Sequence, residues 1–473
     1  MKFASVLLVL LLAGCATSLP KIEPDKLPQP PQAFKEGDGR WTQAPPAEAQ
    51  PRGEWWKAFS DPVLDDLVER AGRGNTSIQV AAARLAQARA FVRATDADRA
   101  PQVGVGASAT RAQGIVGGVA VVQPRNIFAT GVDFSYEVDL FGRLSHATDA
   151  ATLDAQAQEG LLQSARLLVQ AQVAQTYLAL RALDAERSLV RSTVGAYRET
   201  LTLTERRWRA GDVAELDVAR ASTEVAATES DALALDRQRA ELEHALAVLL
   251  GEVVSSFSLP VAEWNSALPV IPAGLPSTLL TRRPDVSAAQ QTMLAAQARV
   301  GVAKAAYFPR VALTGTAGYA STDISDLFEW SSRAWLLGAI ASLPVFDGGR
   351  RKAGIESASA QLEGEVARYR DQVLVAFKDV EDELSALRLL SEQAEAQGRA
   401  VQSSSRSTAL SDVRYRSGYV SQLDLLDAQR SELRNRRQAL QVRAAQYQAA
   451  VGLVRALGGS WAESGPSSTG ASS

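Results

Sequence analysis

Two aspartates three residues apart, Asp424 and Asp427, stand in the stretch RYRSGYVSQLDLLDAQ at 414–429. On a helix that spacing puts both carboxylates on one face, about a turn apart. Brought together with symmetry copies, such acids repel one another, titrate as a coupled set and attract cations. A second stretch, RWRAGDVAELDVARAS at 207–222, repeats the pattern with Asp217 where the first has Asp424 and Arg220 where it has Asp427. Other chemistry is scarce. Two histidines (His146, His244) and one cysteine nearly exclude a His/Cys metal site and rule out a disulfide within the chain. Neither histidine neighbours a nucleophile motif, and no GxxxxGK[ST] phosphate loop occurs, so no catalytic residue, metal or cofactor is expected. A formal net charge of -3 without a basic block argues against nucleic acid as a partner.

The elements that position these acids are written twice. Arg207, Arg209, Gly211, Val213, Leu216, Asp217 and Ala221 recur 207 residues on as Arg414, Arg416, Gly418, Val420, Leu423, Asp424 and Ala428. Gly142-Arg143 and Gly349-Arg350 keep the same offset, and Pro101 and Pro309 nearly so, which marks a tandem duplication. Each half opens with a helical run (75–94, 285–306) rich in Ala, Gln and Arg. Two short alternating segments follow, then a long stretch without proline.

In GVDFSYEVDL the residues Val132, Phe134, Tyr136, Val138 and Leu140 fall on one side of a strand, and Asp133, Ser135, Glu137 and Asp139 on the other. Strands are expected at about 102–111, 130–140, 309–320 and 333–344, each near the length of a tilted membrane strand. Aromatics such as Phe128, Phe141, Phe308, Phe328, Trp330 and Trp335 cluster at their ends, as interfacial girdles require. Four strands cannot close a barrel, and lipid tolerates no open edge, so the chain must oligomerise. Two copies would give a plugged eight-stranded barrel; three give twelve strands and a lumen lined by the acidic faces of Asp133, Glu137 and Asp139. Three is the preferred number.

Long helices are expected at 144–209 and 350–416, each about 100 Å at a rise of 1.5 Å per residue. Shorter return helices follow at 213–250 and 421–457. The copied stretches are then helical hairpin tips, about 207–217 and 414–427, with Gly211 and Gly418 supplying the positive φ of a helix C-cap. Ser421 to Asp424 has the form of a capping box, so Asp424 can serve as a cap; Asp427 has no such duty. The functional alternative is that both acids line the narrow end of a tube, one hairpin constricting and the other bracing.

The N-terminus, MKFASVLLVLLLAGCATS, is a secretory signal. Its Leu12-Ala13-Gly14-Cys15 resembles the bacterial lipobox. That resemblance implies removal of 1–14, acylation of Cys15 and, with Ala16 rather than Asp next, an outer-membrane destination. Beyond it, WWKAFSDPVLDDLV (55–68), LLTRRPDVSAAQ (279–290), AKAAYFPRVALTGTAG (303–318), LPVFDGGRRKAG (343–354) and the two tips are similar to the TolC-like outer-membrane efflux channels. The likeness is to their lipoprotein branch of OprM and NodT, the outer-membrane factors of RND-type tripartite efflux. It covers nearly the whole mature chain.

The resemblance implies an α+β membrane protein. It would be a homotrimer with a 12-stranded outer-membrane β-barrel continued by a periplasmic α-helical barrel. A belt would form from the N-terminal segment, the 251–280 connector and the C-terminal end. A periplasmic adaptor would meet the tips around Arg209, Gly211, Arg416 and Gly418, and link them to an inner-membrane pump. The family's gate aspartates fall on Asp424 and Asp427, a gate tyrosine on Tyr415 and a first-hairpin acid on Asp217. Val420 stands where related channels can carry an arginine, so their latch hydrogen bonds would be absent here, or replaced by ones from Arg414 or Arg416.

The expected organisation is a signal (1–14), a lipid anchor with a Pro-rich extended segment (15–60), a first repeat (61–258), an equatorial connector (259–278), a second repeat (279–458) and a disordered tail (459–473). The expected function is a passive exit duct for drugs or other small molecules. The alternatives are a structural coiled-coil lipoprotein, or an exit duct for type I protein secretion.

Overall fold

Ala-, Gln- and Arg-rich stretches without proline fold as helices, and the alternating segments as strands. The computed structural model describes residues 18–23, 27, 29, 31, 33–36, 53–116, 119–269, 271 and 282–459. In chain order these form α1 (Pro62–Gly74), α2 (Thr76–Ala97), β1 (Gln102–Val116), β2 (Val119–Val138), α3 (Arg143–Arg209), α4 (Glu215–Leu250), α5 (Pro284–Ala305), β3 (Arg310–Ser321), β4 (Arg333–Ser342), α6 (Arg350–Arg416) and α7 (Gln422–Ala456). A 3-10 turn, Trp55–Phe59, precedes α1. The duplication shows in the backbone: α3 and α6 are each 67 residues long. Cys15, most of the Pro-rich segment, connector residues 272–281 and the tail from 460 lie outside the described residues. The chain divides into two compact units.

The first unit comprises residues 1–28, 83–160 and 288–371. Its four strands pair antiparallel in the order β1-β2-β3-β4. Register sorts the two faces. The row Val105–Val132–Ala317–Trp335 lies on the apolar face, and the adjacent row Gly104–Asp133–Thr316–Leu336 on the other. Leu336 and Ile340 share the face of Asp133 and Glu137, which is why β4 alternates weakly in sequence. The first hairpin runs beyond the expected 102–111 and 130–140: β1 spans 15 residues and β2 spans 20. The intervening valine-rich stretch suits extended backbone, and pairing continues through it with a register shift between Ala112 and Gly114. Where the strands give way to helices, Phe141 stacks on Phe308 with ring centroids 4.8 Å apart.

The acids expected in the lumen differ in fate. Asp133 lies over its cross-strand partner Gly104, where an added Cβ would come within 2.7 Å of the carboxylate. Glu137 takes both Nε and Nη2 of Arg143, at 2.8 Å each. Asp139 is a correction: it lies past the end of β2 and caps α3, accepting from Leu144 N (3.1 Å), Ser145 N (2.7 Å) and Ser145 Oγ (2.6 Å). A helix start leaves its first amides without partners, and a carboxylate there satisfies them.

The second unit comprises residues 29–82, 161–287 and 372–473. Its core gathers the aromatics of WWKAF with those of the connector and α7. Trp55 and Phe59 pack edge-on at 6.4 Å, and Tyr447 lies 6.1 Å from Phe59 and 4.8 Å from Trp264. Asp61 caps α1 and also accepts from Tyr177 Oη and Ser266 Oγ, both at 2.8 Å, so one carboxylate joins the N-terminal segment, α3 and the connector. Beside it, Asp184 is fully enclosed by Arg181, Arg187 and Arg239, at 3.4, 3.1 and 2.9 Å. Arg181 and Arg239 hand their remaining donors to the carbonyls of Pro260 (2.8 Å) and Leu259 (2.5 Å), which fastens the connector down. In the TRRPDV motif, buried Arg283 grips Asp285 with two donors, at 3.1 and 2.7 Å, and reaches Asp379 of α6 at 3.0 Å.

Candidate functional site

The two tips share one backbone solution. At the end of α3, Gly211 (φ 84°) donates to Trp208 O and Asp212 N to Arg207 O, both at 2.9 Å. At the end of α6, Gly418 (φ 76°) donates to Tyr415 O at 3.0 Å and Tyr419 N to Arg414 O at 2.8 Å. This paired closure satisfies the last carbonyls of each helix and demands a left-handed residue, which glycine adopts without steric cost.

The helices that leave the tips start differently. At α7, Ser421 Oγ accepts from Asp424 N (3.3 Å), while Asp424 Oδ2 accepts from Ser421 N (3.0 Å) and Ser421 Oγ (2.7 Å). This is the capping box expected from the sequence. Those Ser421 donors, aided by the charge of Arg414, hold the Asp424 carboxyl below the usual carboxylate range. The corresponding residue ahead of α4 is Ala214, which supplies no side-chain cap.

The other site residues fall as follows. Asp427 is 62% exposed in its side chain and accepts from Arg430 Nη1 at 3.3 Å. Asp217 pairs with Arg220 at 3.6 Å. Arg209 and Arg416 fold back on their own helices, to Glu205 (3.6 Å) and Asp412 (2.9 Å). Tyr415 is 2% exposed: it is buried against the first hairpin, its Oη 3.3 Å from Thr204 Oγ1, with the Arg207 guanidinium 4.9 Å above its ring. Arg207 Nη1 also donates to Tyr415 O at 3.4 Å. An arginine of the first hairpin thus meets Tyr415 of the second. At the surface of the tips, Tyr419 (78% exposed), Val413, Leu216 and Trp208 stand out as exposed apolar side chains.

Farther from the tips the hairpins meet through ion pairs that the sequence did not disclose. Arg430 pairs with Glu224 of α4, and Arg437 with Glu186 (2.7 Å) and Asp231 (3.0 Å). The one signal available was the spacing Asp427–Arg430, i to i+3 on a helix. Between these pairs the Tyr197 hydroxyl is buried without a hydrogen-bond partner, and burial, then the charge of Glu224, push its ionisation up to about 12. No His/Cys/Asp/Glu grouping that could hold a metal occurs among the described residues.

The chain matches the family described as outer membrane efflux protein over residues 67–252 and again over 275–459. It is 32% identical over 473 residues to the solvent efflux pump outer membrane protein SrpC of Pseudomonas putida, covering 98% of this chain and 100% of that one. It is 30% identical over 461 residues to the cation efflux system protein CusC of Escherichia coli O6:H1, covering 97% and 99%. Among solved structures it is similar to the outer-membrane channel OprN, at 31% identity and a TM-score of 0.86, covering 94% of this chain and 100% of that one.

Proposed function

The chain belongs to the outer membrane efflux proteins, and on that premise we propose that three copies assemble into one passive exit duct. It is a channel of the outer membrane rather than an enzyme. The observation that carries assembly into a closed barrel is the four-stranded sheet. One of its faces is apolar, and its edges, β1 and β4, have no further strand partner among the described residues. An unpaired backbone edge in lipid costs several kcal/mol per group, and β1 of one copy on β4 of the next removes both edges. Three copies make a twelve-stranded barrel with Asp133 and Glu137 toward its lumen. The helices of the two repeats, 61–258 and 279–458, extend it into the periplasm.

In this reading Cys15 carries the lipid anchor, and the tips around Gly211 and Gly418 meet a periplasmic adaptor. An inner-membrane pump supplies the energy for drugs or other small molecules to leave. Asp424 and Asp427 from three copies form an acidic mouth, closed until the second hairpin moves. The test is single-channel recording on D424N and D427N in planar bilayers. Each variant loses cation preference and divalent block if the acids line the mouth; unchanged block in both variants removes them from it.

A further inference from the structure

One guanidinium stands between the acid assigned to the mouth and the neighbouring hairpin. Arg430 sits one helical turn beyond Asp427 on α7 and donates Nη1 to it at 3.3 Å. Its Nη2 reaches Glu224 of α4, 206 residues away in sequence. The two carboxylates differ in solvation: the Glu224 side chain is 14% exposed and that of Asp427 62%. The Glu224 contact is therefore the firmer and the Asp427 contact the more exchangeable, because water screens the latter. A guanidinium fork carries five donors and can serve both partners at once.

The surroundings keep the contact separable. A cavity of about 380 Å³, lined among others by Tyr197, Glu224, Asp231, Arg430, Arg434 and Arg437, lies between the hairpins. The Tyr197 hydroxyl lies buried and unpartnered beside it, among the ion pairs that Arg430 and Arg437 make across this seam. The arrangement is also confined to one repeat. The positions matching Asp427 and Arg430 in the first hairpin are Arg220 and Thr223, and Arg220 turns to Asp217 instead.

We propose that Arg430 is a positioning residue of the mouth, shared between Asp427 and Glu224, so that the charge shown at the mouth and the bracing between the hairpins draw on the same side chain. This rests on the assignment of Asp427 to the mouth. When Glu224 holds Arg430, Asp427 is only partly neutralised and stays available to cations. When a cation takes Asp427, Arg430 is left wholly to Glu224 and the brace tightens, which links occupancy of the mouth to its closure.

The test is the midpoint of Mg²⁺ block in planar-bilayer recordings at low monovalent salt, on wild type, E224Q, R430Q, R430K and D427N. Only inserted channels are scored, so misassembled protein does not contribute. E224Q turns Arg430 toward Asp427, and block weakens. R430Q unmasks Asp427, and block strengthens. Each shift is about two- to fivefold, as for a partly exposed ion pair. R430K, a point charge without the fork, falls between wild type and R430Q. Both E224Q and R430Q delete the same ion pair, so a merely structural brace would move block in one direction for both. Same-direction shifts, or no shift, alongside a normal loss in D427N overturn the sharing and leave the mouth assignment standing. Unchanged block in D427N overturns both.

Discussion

Replacing Asp184 by Asn changes almost no volume and removes one charge, so its effect reports how firmly the connector is held. Three arginines converge on this carboxylate, whose side chain is 0% exposed. Breaking a buried pair from one side costs about 3–5 kcal/mol, because the partner is left charged and uncompensated. Two of the arginines have second acids: Arg187 keeps Asp236 at its Nη2, and Arg239 keeps Glu243 at 2.8 Å. Only Arg181 is stranded, left with Tyr177 Oη and the Pro260 carbonyl. The low end of the range applies, about 3 kcal/mol, or roughly a hundredfold in an opening equilibrium. The segment that should open is the one these arginines hold, around Leu259 and Pro260. Leu259 N donates to Glu243 at 2.5 Å, so its amide is a direct reporter. Hydrogen exchange of the assembled protein, followed on peptides spanning 253–269, should show about hundredfold faster exchange in D184N. The control is D236N: that side chain is 32% exposed, and its loss should stay within about tenfold. A D184N effect no larger than that of D236N would refute the view that burial, not charge alone, gives this cluster its strength.

Three further outcomes are expected. Ser421→Ala removes the hydroxyl that accepts from Asp424 N, at a cost of about 1 kcal/mol, so exchange in the first turn of α7 should quicken about fivefold while the matching turn of α4, begun by Ala214, is unaffected. The Asp424 carboxyl is held below its ordinary value, so its contribution is complete above that value and fades only as pH falls through the lowered one, below about pH 4; an exchange profile that rises already near pH 6 would contradict this. Tyr177 and Tyr197 are pushed up to about 12, each chiefly by burial. They bind their protons more tightly folded than unfolded, so their stabilising share is intact below about pH 10 and is lost as pH rises toward 12. An ultraviolet titration should show two late-ionising tyrosines that Y177F and Y197F remove one at a time.

Much of this architecture is legible in the chain because it rests on local rules. Proline-free alanine-rich runs made α3 and α6, period-two alternation placed the strands, and glycine with a box-forming serine marked the tips. The strand ends were less legible, since pairing through a valine-rich hairpin depends on a partner strand rather than on any breaker. Asp139 looked like the last member of an acidic face and turned out to be a cap, because β2 stops two residues short of the expected end. Least legible were the contacts of Tyr415, Arg430 and Arg437, whose partners lie more than 200 residues away. Such pairings depend on the axial register of packed helices, which no single-chain periodicity records.

On the proposed gating, the duplication sharpens what must decide which hairpin moves. The long helices have equal lengths, and both tips close with the same glycine-centred hydrogen bonds at the same offset. Backbone geometry therefore offers no distinction between them. The difference lies in a few side chains: Ser421 against Ala214, Asp427 against Arg220, Arg430 against Thr223. Two of these changes add a cap or a charge to the second hairpin and the third reverses the sign of a charge, while the first keeps a plain start and an internal Asp217–Arg220 pair. The hairpins meet both through partly exposed ion pairs, worth about 1 kcal/mol each, and through the buried ring of Tyr415. The second hairpin thus combines a capped start with a seam in which ion pairs stand beside a buried aromatic ring. In the proposed gating, a start capped in this way would let the helix pair swing as a unit without melting.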